Sequence, residues 1–154
     1  MATTILSCAL LFGLNTQAQD IIGDYDFESG TQGWTIGSDA QYYTGGTYAC
    51  SGSDAIRVED DKSTSIVTSP TLDISTYSSI SISFCFKGAS KLKNDDGFDL
   101  KYYDGSSWIT LKTYRVDIDF TNVGTAYPYS FSFPLDNATY TFPTNAQFRF
   151  EGEG

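Results

Sequence analysis

From Ser79 to Lys87 the chain alternates without a break. Ile80, Ile82, Phe84 and Phe86 are apolar, and the residues between them are serine, cysteine or lysine. A period of two is the mark of a strand with one buried face. The four apolar residues therefore point to the core and Cys85 to the opposite face, where any partner must approach from outside the sheet. Phe98, Leu100 and Tyr102 alternate with Asp99, Lys101 and Tyr103 in the same way. Asp104-Gly105-Ser106-Ser107 is turn chemistry, and Trp108-Ile109-Thr110-Leu111 returns as a second strand, giving a hairpin with an Asp-Gly signature. Tyr129, Phe131 and Phe133 alternate with Ser130 and Ser132, and Phe148 and Phe150 flank Arg149.

Earlier strands are expected over 24–28, 55–59 and 65–68, where Thr, Ser, Tyr, Ile and Phe favour extended chain. Turn clusters recur at 30–33, Gly45-Gly46, Ser51-Gly52-Ser53, 94–97 and Asp104-Gly105. Pro70, Pro128, Pro134 and Pro143 fall at strand starts or connections, where a missing N–H does little harm. No window sustains a period of 3.6. The pattern predicts an all-β fold, an antiparallel β-sandwich of jelly-roll type, with no internal repeat and no linker.

The first residues break this pattern. Ile5 to Leu14 form a ten-residue apolar run, too short for a membrane-spanning helix, which needs about 20 residues. Thr16 and Ala18 then occupy the −3 and −1 positions of a cleavage after Ala18. Together these read as a secretory signal peptide over 1–18, although Met1 to Thr4 carry no Lys or Arg. A single domain over 19–154 follows, secreted or extracellular, with no membrane span. Cleavage removes Cys8 and leaves Cys50 and Cys85. An even count in an exported domain permits one disulfide, worth about 3–4 kcal/mol for a loop of that size; two separate buried thiols are the alternative.

Composition narrows the function classes. The 154 residues include 11 Tyr, 11 Phe and 2 Trp, enough large apolar surface for one core. Nine Lys+Arg against 19 Asp+Glu give a net charge of −10, the opposite of what a nucleic-acid backbone requires. The chain has no histidine. That removes Ser-His-Asp and Cys-His nucleophilic sites, His-ligated zinc and the commonest general base in one step.

Asp26-Phe27-Glu28-Ser29-Gly30-Thr31-Gln32-Gly33-Trp34 resembles the opening of MAM-type domains, a D-F-E-x-G stretch closing on G-W. Further stretches are similar to related jelly-roll modules of secreted, often multidomain proteins: Ser51-Gly52-Ser53-Asp54-Ala55-Ile56-Arg57-Val58-Glu59-Asp60, Thr68-Ser69-Pro70-Thr71-Leu72-Asp73-Ile74-Ser75, the hairpin from Phe98 to Trp108, and Asn145-Ala146-Gln147-Phe148-Arg149-Phe150. The resemblance covers about residues 24 to 150. It implies a concanavalin- or galactose-binding-like sandwich that binds carbohydrate or protein surfaces without catalysis. Tyr25 stands where the family has a cysteine, so the MAM disulfide pairing does not transfer. Relatives also continue past the Phe-Arg-Phe strand into a final acidic strand, so the resemblance implies a C-terminally truncated domain with an open sheet edge.

The same resemblance implies a structural Ca²⁺ near the first strand, with Asp26, Glu28 and Asp54 as oxygen ligands; a solvated outer face around Phe27 is the alternative. Asn94-Asp95-Asp96-Gly97-Phe98-Asp99 lacks the oxygen spacing and terminal Glu of an EF-hand and reads as a solvated turn. Glycosidase chemistry needs paired carboxylates. Glu59-Asp60-Asp61-Lys62 reads as a charged turn and Asp117-Ile118-Asp119 as a solubilising strand face, so no enzyme activity is expected. A sugar site pairs a flat ring with a few convergent polar groups. Tyr42 and Tyr43, in a Gly-rich loop, and Tyr103, on the polar side of its strand, are the candidates; Trp34 and Trp108 are expected in the core. The leading expectation is a non-catalytic module binding glycan on polymers or cell surfaces. The alternatives are a MAM-like protein adhesion module recognising a cell-surface protein, or an accessory domain beside a secreted hydrolase or protease.

Overall fold

The structure is a computed structural model describing residues 3–10 (by their backbone), 20–59, 62–88, 96–121 and 127–153. The cleavage point after Ala18, Asp60-Asp61 of the charged turn and Asn94-Asp95 of the acidic turn lie outside the described residues. The strands are β1 (Thr3–Leu10), β2 (Gly23–Tyr25), β3 (Thr35–Ile36), β4 (Gln41–Thr44), β5 (Asp54–Glu59), β6 (Ile66–Thr68), β7 (Ser79–Gly88), β8 (Gly97–Tyr103), β9 (Trp108–Arg115), β10 (Tyr129–Asp136) and β11 (Gln147–Gly152). No helix occurs among the described residues, so none is long and apolar enough to cross a membrane.

The strands form two antiparallel sheets packed face to face, a β-sandwich. The first has the order β10-β7-β1-β5-β4, with β2 also paired to β1; the second runs β3-β6-β11-β8-β9. Ile80, Ile82, Phe84 and Phe86 are all buried, as the alternation of β7 requires. They meet Phe98, Leu100 and Tyr102 of β8 and Phe148 and Phe150 of β11. Ring pairs bind the layers: Phe84 lies 5.0 Å from Phe150 and Phe86 lies 5.0 Å from Phe98, both edge to face. Each such fully buried side chain is worth about 1.5–3 kcal/mol of apolar transfer, and the edge-to-face geometry adds about 0.5–1.5 kcal/mol per pair.

Cys50 and Cys85 form a disulfide across 35 residues. Cys85 is on the outer face of β7, and the segment 45–53 comes to it from outside the first sheet. Ala49 and Ala55 form a small second cluster under Tyr48, and Gly45 and Gly46 both donate their N–H to the Ser53 carbonyl. The loop thus lies over the outer surface of β5 and β7. It covers part of the outer face of the first sheet.

Candidate functional site: the outer face of the second sheet

Outward positions of the second sheet are set by the same alternation that buries Phe98, Leu100, Tyr102, Phe148 and Phe150. Register aligns them in rows. Thr35, Thr68, Arg149, Lys101 and Thr110 pair in sequence across all five strands. In the next row Gln147 pairs with Tyr103, and Tyr103 with Trp108. Trp108 is therefore outside, not in the core as expected, because it shares a face with its cross-strand partner Tyr103. Their ring centroids are 5.4 Å apart. The Arg149 guanidinium reaches diagonally over the indole, 3.8 Å from its centroid, an arrangement worth about 0.5–1 kcal/mol at a solvent-facing site.

The β8–β9 turn that presents this pair is locally over-determined. Asp104 Oδ1 accepts from the N–H groups of Ser106 and Ser107 and from the Ser106 hydroxyl, each at 2.8 Å. Those donors, the Ser107 amide foremost, hold the Asp104 carboxyl below the usual carboxylate range. Gly105 takes φ +95°, a left-handed conformation that favours glycine. Beneath the turn, Tyr102 is buried and donates its hydroxyl to the Thr141 carbonyl. Burial first, and the Asp104 charge second, push its phenol up to about 12.

Polar groups frame the rings. Lys101 Nζ is 3.0 Å from Glu151 and 3.5 Å from Asp99, and Thr113 donates to Asp99 at 2.6 Å. Arg149 Nε donates to the Thr68 hydroxyl at 3.3 Å. Beyond Arg149 lies a hollow of about 360 Å³ lined by Thr35, Gly37, Ser38, Thr64, Ile66, Thr68 and Arg149. Aromatic surface, a fixed guanidinium and a hydroxyl-lined hollow thus lie side by side on one sheet face.

The other expected site residues fall elsewhere. Tyr42 and Tyr43 are in strand β4 rather than a loop, so their side chains take opposite faces. Tyr42 donates its hydroxyl to the Asp54 carboxylate and to the Phe27 carbonyl, 2.9 Å away. The Asp54 bond, then burial, raises its pKa. Tyr43 packs edge to face on Tyr48 at 4.7 Å. Neither joins Tyr103. Glu28 and Asp54 do come together: Glu28 accepts from the backbone N–H groups of Ser53 and Asp54, each at 2.8 Å, and from the Ser53 hydroxyl at 3.0 Å, and that hydroxyl also reaches Asp54. Asp26 instead accepts from Gln32 at 2.8 Å and from the Glu28 amide at 3.1 Å. Among the described residues no group of three or more metal-ligating side chains gathers; Glu28 and Asp54 act as a hydrogen-bonded clasp tying the first turn to β5.

The remaining carboxylates considered for catalysis are engaged structurally. Glu59 is buried and ion-paired with Arg57. Asp119 accepts from the Arg115 amide and lies 2.6 Å from Lys112, within a tight turn where Asp117 takes φ +62°. A second hollow of about 460 Å³ lies beside the disulfide. Its outer wall is Ser83, Ser130 and Ser132, and its two rings, Phe84 and Phe131, share the inward face. Tyr103 and Trp108 are, among the described residues, an outward ring pair tilted 43° to each other and joined by a cation.

Fold and site define the class: an all-β sandwich with a polar, ring-bearing outer face. No protein-family model, curated protein sequence or solved structure matches the chain. The likeness to MAM-type modules rests on the sequence motifs.

Proposed function

We propose that this chain is a secreted, non-catalytic carbohydrate-binding module whose ligand lies across Tyr103 and Trp108, with Arg149 and the Thr/Ser hollow fixing its orientation. The observation that carries the reading is the outward Tyr103–Trp108 pair beside Arg149 on the outer face of the second sheet. Pyranose rings are amphipathic: their axial C–H faces pack on aromatic surface, while their hydroxyls need paired donors and acceptors at the rim. Tyr103 and the part of Trp108 that the Arg149 guanidinium leaves uncovered offer the first; Arg149, Lys101, Gln147, Thr35 and Thr68 offer the second. The absence of histidine agrees with binding rather than turnover. The disulfide suits an oxidising compartment and the signal-like residues 1–18 suit export to it.

A glycan array and depletion on insoluble polysaccharides test this, each with and without EDTA. Tyr103→Ala/Trp108→Ala is expected to weaken binding at least about tenfold, or about 1.4 kcal/mol. Chelation is expected to change nothing, because Glu28 and Asp54 do not belong to this face. Failure of the unsubstituted protein to bind any glycan, or equal binding by the double variant, overturns the proposal.

A further inference from the structure

Ser38, at the rim of the hollow beside Arg149, also lines a second hollow of about 260 Å³, whose other walls are Asp39, Ala40, Gln41, Arg57 and Glu59. This one belongs to the first sheet. Gln41 opens β4 and pairs with Arg57 of β5, and Glu59, two positions further along β5, shares the face of Arg57. Residues 37–40 carry the chain from β3 in one sheet to β4 in the other, so this turn is the divide between the two hollows at the edge of the sandwich. It is held in place without a ligand. The Gly37 N–H donates to the Ile66 carbonyl at 2.7 Å and the Ala40 N–H to the Gly37 carbonyl at 3.2 Å. A Cβ on Gly37 would lie 2.6 Å from the Thr64 carbonyl oxygen, so the turn sits directly against 64–66. The Asp39 carboxylate accepts from the Thr64 hydroxyl, and its carbonyl from the Ser65 hydroxyl at 3.3 Å. Ser65 in turn accepts from the Glu59 N–H at 2.6 Å. Walls formed in advance spare a ligand the cost of ordering them.

The lining specifies the chemistry of an occupant. Glu59 is 6% exposed and meets Nη2 of Arg57, whose side chain stays 27% exposed. Arg57 Nε has no hydrogen-bond partner among the described residues, so the guanidinium has donors that the carboxylate does not use. A hydroxyl both donates and accepts. Two neighbouring hydroxyls of one sugar unit therefore fit a carboxylate and a guanidinium held side by side, with the Gln41 amide and the Ser38 hydroxyl at the rim. Among the described residues no aromatic ring lines this hollow, so its grip falls on hydroxyls rather than on a ring face. Asp39 and Glu59 against Arg57 leave it net negative, which disfavours a carboxylated or sulfated unit.

We propose that this hollow is a second sugar subsite that holds one uncharged unit by its hydroxyls, and that the ligand is a neutral polysaccharide running from Trp108 across the second sheet and over the edge of the sandwich. The inference rests on the carbohydrate reading above and adds length and charge to it. Trp108 on β9 and Thr35 on β3 stand at opposite edges of the five-stranded sheet. At the usual strand separation that is roughly 19 Å, further than a disaccharide extends, and the second hollow lies beyond Thr35.

The test is calorimetric titration of the full chain with disaccharides and hexasaccharides of α-1,4-glucan, β-1,4-glucan, β-1,3-glucan, β-1,4-mannan and β-1,4-xylan, and with hexagalacturonate as the acidic comparison. The best neutral hexasaccharide is expected to bind about tenfold more tightly than its own disaccharide, and more tightly than hexagalacturonate. Arg57→Gln is expected to remove that gain and leave disaccharide binding unchanged, whereas Tyr103→Ala/Trp108→Ala weakens both lengths. Should Arg57→Gln not fold, because it strips Glu59 of its ionic partner, Gln41→Ala at an exposed position must weaken the hexasaccharide alone, by about threefold. Equal affinity for the two lengths, a gain that survives the substitution at Arg57 or Gln41, or tightest binding to hexagalacturonate overturns this inference and leaves the Tyr103–Trp108 site standing. Binding of no sugar by the unsubstituted protein, or binding untouched by the aromatic double variant, overturns both.

Discussion

Replacing both half-cystines, as Cys50→Ala/Cys85→Ala, removes a link across 35 residues. In the chain-entropy account the link takes about 13 cal/mol/K from the unfolded ensemble, or about 4 kcal/mol at 25 °C. The folded state loses little more, because the segment over the first sheet keeps other ties. Gly45 and Gly46 remain bonded to the Ser53 carbonyl at 3.0 and 2.7 Å, Tyr43 remains on Tyr48, and Glu28 still clasps Ser53 and Asp54. The loss should therefore appear almost wholly as a lowered urea midpoint. With an m-value of about 2 kcal/mol/M the midpoint falls by about 2 M, and the slope rises slightly as the unfolded chain expands. Urea titration of both proteins, followed by tryptophan emission and far-UV dichroism, measures this. A midpoint shift below about 0.5 M would refute the reasoning, since it would mean that the unfolded chain keeps 45–53 near β7 without the bond.

Two further perturbations probe the turns. Asp104 has a folded pKa below its ordinary value, so the stability it contributes is present above the usual carboxylate range and is lost as pH falls through the folded value. Asp104→Asn should accordingly shrink the stability difference between neutral and strongly acid solution, read by thermal melts across that interval; an unchanged acid limb would count against the turn assignment. At Gly52, φ is +65° and an added Cβ would sit 2.3 Å from Glu28 Oε1. Gly52→Ala should cost about 1–3 kcal/mol in urea titration, and part of that cost should vanish in the Glu28→Ala background, where the clash is absent.

Much of the sandwich is legible in the sequence because period-two alternation is a direct record of which face is buried. Ile80 to Phe86 read correctly, and the parity of Cys85 already demanded a partner arriving over the outside of its sheet. The hairpin at Asp104-Gly105 read correctly as well. Trp108 did not, although the means were present: once Tyr103 is on the polar face, a four-residue turn returns its cross-strand partner to that same face. The position of Trp108 in the family-like hairpin motif argued for burial, and register overruled it. Arg149 over Trp108 joins residues 41 positions apart in sequence on non-adjacent strands, so no local pattern encodes it. Tyr42 and Tyr43 were misread because Gly45-Gly46 marks the turn after the strand rather than the strand itself. Phe27 at φ +64° is held by Gln32 Oε1 on its N–H and by Tyr42 on its carbonyl, a long-range arrangement with no signature in composition.

The two tryptophans lie in opposite environments, and this gives the molecule two built-in optical probes. Trp34 is 3% exposed, stacked on Phe150 at 6.2 Å and edged by Tyr25 and Phe27. Its emission belongs at the blue end and beyond the reach of a dissolved quencher until the layers part. Trp108, under a guanidinium at the boundary with water, emits to the red and answers to whatever settles on its surface. Occupancy and denaturation can thus be watched separately in one cuvette, with no label attached.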